Sequence, residues 1–498
     1  MNNSLLKLFN NTVFIISSLI LVLSSAIIFL FTDYFYALIE TVSISVREHF
    51  GTFYLWLGLI CVLFLLILSF SKYGKIKLGK TKPEFDRISW IAMLYSAGMG
   101  AGILLRAVQE PVYMYFNPPI KTGSAPEIVS LEYTFYQWGF TAWAFYGVFA
   151  VVIGYSIFVE KADIRLSSGY SAFKKIKFFP EFIDTLTILT TVIGVVAAIG
   201  LGTTQIEGGI SHLLSREPGT LMPNLILVFL ICSLAFISAW AGVSKGIKRI
   251  SNWNILIAVL LMCFVFVTGD ISKILLNFSN SFYHYIVDFV PLSLAIGKYD
   301  PGVQFLTDWT YYYWAFWLAW APFTGIFIAR ISKGRTLREM ILGVLLIPSL
   351  GSFFWFSVFG TSAFDMINGW SSYNDEFGNV FTSMFVFFES FAFPDITSIV
   401  VILLLISFLV TSVDSAIFVL SMFTDKGKQE PSRIYRLAWA ILLFLFCEAI
   451  IVLGQVQQGS NVLTAMQKFL IITSLPFAFL TVFLLAITVR KLTKKPFI

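Results

Sequence analysis

Runs of about 20 apolar residues recur along almost the whole chain, as in Val13 to Phe31, Phe53 to Phe70, Leu225 to Trp240, Ile255 to Thr268 and Phe469 to Val489. Each run is long enough to cross the hydrocarbon core of a bilayer as one α-helix. Further spans are expected to begin near Trp90, Thr134, Asp184, Trp309, Met340, Thr397 and Tyr435, about twelve in all by this criterion. The composition agrees, with 58% hydrophobic and 12% charged residues and a mean hydropathy of +0.83 over 498 residues, far from a soluble globular protein. The expected class is an all-α integral membrane protein of twelve transmembrane helices. The first span lacks a small-residue cleavage site after it, so it reads as a retained helix and not as a removed signal peptide.

Charge between the spans alternates. The segments Lys72 to Arg87, Lys161 to Lys177, Lys245 to Arg249, Arg330 to Arg338, Lys426 to Arg436 and Arg490 to Lys495 are basic, and the intervening loops carry few Lys or Arg. By the positive-inside rule the basic loops and both termini are cytoplasmic, which requires an even number of spans. A multi-pass protein of the cell (inner) membrane is expected. The net charge of +6 is thus a topology signal, and the basic residues never form the single patch that nucleic acid would need. Cys61, Cys232, Cys263 and Cys447 lie in different apolar spans and read as core residues. His49, His212 and His284 read as scattered loop residues, with no His and Cys cluster for a metal.

No linker, low-complexity tract or soluble domain interrupts this pattern, so one membrane domain is expected. Weak internal symmetry is present. The third span is interrupted by Gly98, Gly100 and Gly102, and the eighth, five spans later, carries a dense aromatic run ending at Pro322. Transporters built from inverted repeats often place their site where a helix is broken near the midplane, and an odd repeat of five spans gives opposite orientations. The stretches Phe282 to Leu294 and Phe377 to Phe393 read as interfacial or re-entrant helices.

Two segments carry the chemistry. Trp138, Trp143 and Tyr146 fall within an arc of about 140° on one helix. Tyr313, Trp317, Trp320 and Thr324 follow the three-and-four spacing of a stripe on another. Facing each other, the two would wall a pocket with aromatic faces, which suits a cation that cannot donate hydrogen bonds. Ser96 to Gly102 holds alternate glycines that disfavour regular helix by about 1 kcal/mol each. Unwinding there frees carbonyls for a small hard cation and N–H groups for a carboxylate; close helix packing is the alternative. Phe408, Thr411, Ser412, Asp414 and Ser415 form a second polar island with hydroxyls of the type sodium prefers, against ordinary back-bonding to their own helix.

The runs SAGMGAGILLRAVQEPVYMY, QWGFTAWAFY, GVSKGIKRISNWN, WTYYYWAFWLAWAPFTGIFIARISKGRTLREMILGVLLIPSLGSFFWFSVFG and TSVDS together resemble the betaine/choline/carnitine transporter family, over roughly Ser89 to Ser421. The resemblance implies a homotrimeric secondary transporter with two five-helix inverted repeats of the leucine-transporter type. Residues 1–88 would form two helices outside the repeats, 89–300 the first repeat with an interfacial helix, and 301–498 the second repeat and a short tail. It implies an aromatic box of Trp138, Trp143, Tyr146 and Trp317, with Trp314 and Trp320 lining the path and the substrate's other end, Phe316 also at the substrate site, and the broken helix at Gly98, Met99 and Gly100 beside it. It also implies one sodium site at Ser96, Met99, Phe408, Thr411 and Ser412, and a second at Thr187, Thr191 and Phe323. Sodium ions would be the coupling ions and no other cofactor is expected. The segment Ser251 to Ile255 shows no Arg or Lys to stand in for an ion, as in sodium-independent antiporters of the family. Some members sense osmotic stress through a long charged C-terminal extension, which the few residues after Val489 do not resemble.

The chain departs from the family at Phe316, where tryptophan is usual, at Gln137 and Thr141, where histidines are typical, and at Arg106, in place of an aromatic. An arginine at the centre of a span costs about 2.5 to 3.5 kcal/mol, so Arg106 needs a partner or a watery cavity. Glu110, one turn later, is the expected partner; contact with the anionic end of a substrate is the functional alternative. Glu448 and Asp414 are the other acids expected at membrane depth, in packing or gate hydrogen bonds. The expected function is sodium-coupled import of a betaine-type zwitterion, quaternary ammonium or tertiary sulfonium. A sodium-independent exchanger and a cation channel are the alternatives. An enzyme is disfavoured, because no nucleophile, base and orienting partner recur at membrane depth.

Overall fold

In the computed structural model, eleven helices among the described residues are long and apolar enough to cross a membrane, and a bent pair makes a twelfth. The structure describes the chain apart from residues 1–7, 9, 99, 164, 168–175, 220, 242–243, 426, 429, 456–460 and 495–498. Helices α1 (Thr12–Leu30) and α2 (Thr32–Phe70) come first. The broken span follows as α3 (Arg87–Gly98), α4 (Ala101–Arg106) and α5 (Gln109–Phe116), with a bend of 59° across the glycine run. Then come α6 (Pro126–Trp138), α7 (Phe140–Phe158), α8 (Phe179–Leu213), α9 (Leu221–Ala241) and α10 (Ser244–Thr268). Two shorter helices, α11 (Ile271–Val287) and α12 (Phe289–Ser293), lie between the halves. The second half holds α13 (Tyr311–Ile331), α14 (Leu337–Gly369), α15 (Ser383–Glu389), α16 (Pro394–Thr424), α17 (Arg433–Leu453) and α18 (Val462–Lys494). The β pairing recorded among these residues is an isolated bridge between Lys77 and Thr336.

Burial sorts the helices into an inner and an outer set. The most apolar window is 89% buried in the α6–α7 span and 78% in α8, but only 28% in α1, α9 and the α10 span. A helix apolar on every side but buried on one leaves the rest for lipid. α13 packs against α7, α8 and α18, and α8 packs against α16 as well, so the inner set surrounds the two aromatic segments.

The start of α3 is fixed locally. Asp86 accepts the Ser89 backbone N–H at 2.6 Å and the Ser89 hydroxyl at 3.0 Å. These hydrogen bonds hold its carboxyl below the usual range. The cap is therefore intact above the ordinary carboxylate pKa and is lost as pH falls through the lowered value.

Several boundaries differ from the expectation. The second span starts at Thr32, not Phe53, and the fourth at Pro126, not near Thr134. In the fourth, Ser130 and Glu132 hide the apolar pattern although both are buried; the Ser130 hydroxyl donates to the Pro111 carbonyl at 2.6 Å. Cys263 is exposed while the other three cysteines are buried, so it lies on an outer face and not in the core. His49, His212 and His284 all lie on helices and not in loops. The stretch Phe282 to Leu294 forms the end of α11 and all of α12, and Phe377 to Phe393 contains the seven-residue α15; none of these is a span.

Gly139 joins α6 to α7 and turns the chain beside the aromatic segment. A Cβ there would lie 2.4 Å from the Phe135 carbonyl oxygen, 2.6 Å from Phe353 and 2.7 Å from the Tyr285 hydroxyl. Tyr285 in turn accepts the Phe140 N–H at 2.9 Å. Gly139→Ala is expected to destabilise the protein by about 1 to 3 kcal/mol, as overpacking does. Melting of the detergent-solubilised protein checks this; an unchanged midpoint contradicts the packing described.

Candidate substrate site

Two perpendicular ring contacts join the two aromatic segments, and a third lies within the first. Trp138 and Trp317 meet at 5.2 Å and 76°, Tyr146 and Trp317 at 5.9 Å and 82°, and Trp143 and Tyr146 at 5.3 Å and 88°. All four rings are buried. Tyr313 extends the group, 5.7 Å from Trp138 and stacked 6.2 Å from Trp317, and Phe356 of α14 closes one side at 5.1 Å from Trp138. Gly102 of the broken span lies against the same place, since a Cβ there would be 3.6 Å from the Trp138 ring. Gly100, at the break itself, has no neighbour within 4 Å of its virtual Cβ.

The polar edges of Trp138, Tyr146, Tyr313 and Trp317 are already engaged. The Trp317 Nε1–H donates to the Gln137 carbonyl at 3.0 Å, and the Trp138 Nε1–H donates to Glu110 Oε2 at 3.2 Å. The Tyr313 hydroxyl donates to the same Glu110 oxygen, and the Tyr146 hydroxyl bonds Thr324. What the group still offers is π faces, plus Glu110 Oε1, which is buried with no hydrogen-bond partner. That set suits a cation with no N–H to satisfy.

Arg106 does not pair with Glu110. Its Nη1 donates to Gln109 Oε1 at 2.6 Å, and its guanidinium lies 4.8 Å over the Trp309 ring. Ala107 and Val108, between α4 and α5, keep right-handed helical dihedrals, so it is the Arg106 side chain that turns to Gln109 and Trp309. Trp309 is 6.4 Å from Tyr313, which leaves Arg106 two rings away from Trp317. Arg106 lines a cavity of about 400 Å³ together with Gln109, Thr204, Glu207, Asn379 and Asn461.

The other expected residues are dispersed. Trp314 is fully buried but faces away from the box, against Tyr136 at 5.1 Å and Phe145 at 6.1 Å. Trp320 packs on Phe323 at 5.4 Å, and Phe316 is edge-on to Trp317 at 5.4 Å. Met99 lies outside the described residues, and of Gly98 the structure describes its helical backbone. Ser96 and Thr411 both donate to their own helices, to Met93 at 2.8 Å and Ser407 at 2.9 Å. Phe408 is buried and Ser412 half-buried. Thr187 and Thr191 stack one turn apart on α8 and back-bond to Ile183 and Thr187. Thr190 beside them has a buried hydroxyl with no partner, a residue the sequence reading passed over. At Gly194 a Cβ would lie 3.2 Å from the Ala319 backbone, so α8 and α13 touch directly next to Phe323. Asp414 accepts a hydrogen bond from Ser238, and Glu448 is half-buried on α17.

An all-helical, multi-pass membrane fold with a broken span against an aromatic cage is the form of a solute transporter and not of an enzyme. Residues 12–497 match the family described as "BCCT, betaine/carnitine/choline family transporter". The glycine betaine transporter OpuD of Bacillus subtilis (strain 168) is 37% identical over 459 residues, covering 90% of this chain and 88% of that one. The ectoine/hydroxyectoine transporter of Virgibacillus pantothenticus is 33% identical, covering 99% and 98%. The high-affinity choline transport protein of Escherichia coli (strain K12) is 32% identical, covering 96% and 71%. The chain belongs to the betaine/carnitine/choline transporter family.

Proposed function

We propose that this transporter is a sodium-coupled symporter that imports a betaine-type zwitterion by alternating access, with the onium group held by Trp138, Trp143, Tyr146 and Trp317. The observation that carries the reading is the perpendicular Trp138–Trp317 contact at 5.2 Å, which joins the first and second halves of the chain in one aromatic corner. Betaine, choline and ectoine transporters among the relatives support the solute class. A quaternary ammonium or tertiary sulfonium gains about 2 kcal/mol per desolvated aromatic contact without leaving a donor unpaired.

Sodium coupling is supported by the hydroxyl-rich run Thr187, Thr190 and Thr191 on α8, where the buried Thr190 hydroxyl has no partner, and by Thr411 and Ser412 on α16. Each sodium ion entering at 100 mV supplies about 2.3 kcal/mol, so two sustain roughly a thousandfold gradient of a neutral zwitterion. The twelve spans form two five-helix inverted repeats, with the termini cytoplasmic and the chain assembled as a homotrimer in the cell membrane. Arg106 lines a cavity separate from the box, shared with Gln109 and Glu207, and there meets the solute's carboxylate on its way in, favouring zwitterions over choline.

The test is uptake into proteoliposomes of glycine betaine, choline, carnitine, ectoine and dimethylsulfoniopropionate, with an inward sodium gradient or with potassium in its place. Accumulation of a zwitterion above equilibrium that requires sodium is expected. Equal uptake without sodium overturns the coupling, and dissipation without accumulation makes the protein a channel.

A further inference from the structure

Away from the aromatic box, Glu132 of α6 meets His284 of α11 and Asp288, the residue that ends α11. One ligand atom from each lies within 4.8 Å of the others. His284 and Asp288 are one helical turn apart, with Nδ1 3.6 Å from the carboxylate. Glu132 is 0% exposed, and no donor reaches either of its oxygens. Among its neighbours is a second carboxylate, Asp288. A buried carboxylate without a donor, facing another, is a costly arrangement that a cation relieves. Lys298 acts on Glu132 only from a distance, its ammonium lying 5.0 Å over the Tyr299 ring. The Tyr299 hydroxyl is a further polar neighbour of Asp288.

We propose that Glu132, His284 and Asp288 form a binding site for a divalent transition metal of the zinc type, which clamps α6 to α11 and slows transport. One imidazole nitrogen and two carboxylates are the donor set of such an ion, whereas calcium and magnesium take oxygen alone. Ligands at 2.0 to 2.2 Å from one tetrahedral centre stand about 3.4 Å apart, so the three side chains draw together by about 1 Å on binding. The clamp has a lever. Trp138 lies at the far end of α6, six residues or about 9 Å of helix beyond Glu132. Holding the middle of α6 against α11 restrains any motion that shifts the box relative to the helix between the two halves.

The site rests on its own geometry; only the effect on transport rests on the function proposed above, and the two are read separately. Purified, metal-stripped protein in detergent is titrated with Zn²⁺ against a chromogenic chelator. One equivalent per chain is expected, at least 10-fold weaker in both Glu132→Gln and His284→Ala. His284 has a third of its side chain exposed, so His284→Ala keeps the test valid if the buried Glu132 variant fails to fold. In proteoliposomes Zn²⁺ is expected to slow wild-type uptake and to leave His284→Ala uptake unchanged. No Zn²⁺ binding by folded wild type, or equal binding by His284→Ala, overturns the site. Binding without inhibition overturns the clamp.

Discussion

Trp317→Leu is expected to abolish saturable uptake. The Trp317 ring touches Trp138, Tyr146 and Tyr313 at centroid separations of 5.2, 5.9 and 6.2 Å, so both Trp138 of α6 and Tyr146 of α7 meet α13 through it. Losing one desolvated cation–π contact costs about 2 kcal/mol, a factor of about 30 in affinity. Leucine also removes the Nε1–H that ties the ring to the Gln137 carbonyl, so the neighbouring rings lose their orientation as well. Initial rates against glycine betaine concentration should become linear, whereas Trp317→Phe should retain a saturable component with a raised KM. An unchanged KM in the leucine variant rules out the box.

Glu110→Ala is the second substitution with a large expected effect, and it separates structure from selectivity. It leaves the Trp138 Nε1–H and the Tyr313 hydroxyl buried without their acceptor, at about 1 to 3 kcal/mol for each donor. It also removes a charge that interacts with the buried Arg106 from a distance. Melting in detergent should fall by several degrees and uptake should be lost. Glu110→Gln retains an acceptor oxygen, so its melting should return toward wild type while KM stays raised, because the negative charge beside the onium group is gone. Equal, wild-type uptake in both variants contradicts the role given to this carboxylate.

Periodicity made much of this legible. Trp138, Trp143 and Tyr146 share a face because a helix puts them there whatever surrounds it, and Trp317 answers from α13 by the same rule. The break at Gly98 to Gly102 was equally readable, since glycine weakens helix locally. Spacing cannot say which way a tryptophan off the stripe will point. Trp314 turned toward α6 and α7 packing instead of the box because Gly58 and Thr141 leave room beside its Nε1 edge. The one-turn spacing of Arg106 and Glu110 allows a pair but does not choose the rotamer, and Arg106 turns to Gln109 and Trp309 instead. Glu132, His284 and Asp288 come from distant stretches, and only the packed structure brings them together.

The contact at Gly194 has a mechanical meaning. At Gly194 the α8 backbone lies directly against Ala319 of α13, meeting its backbone and its small methyl equally closely. Such a seam behaves as a plain bearing: one helix can slip along the other without first withdrawing an interlocking tooth. A leucine set into it would work as a detent, holding the two halves of the molecule in whichever posture they had when it was fitted.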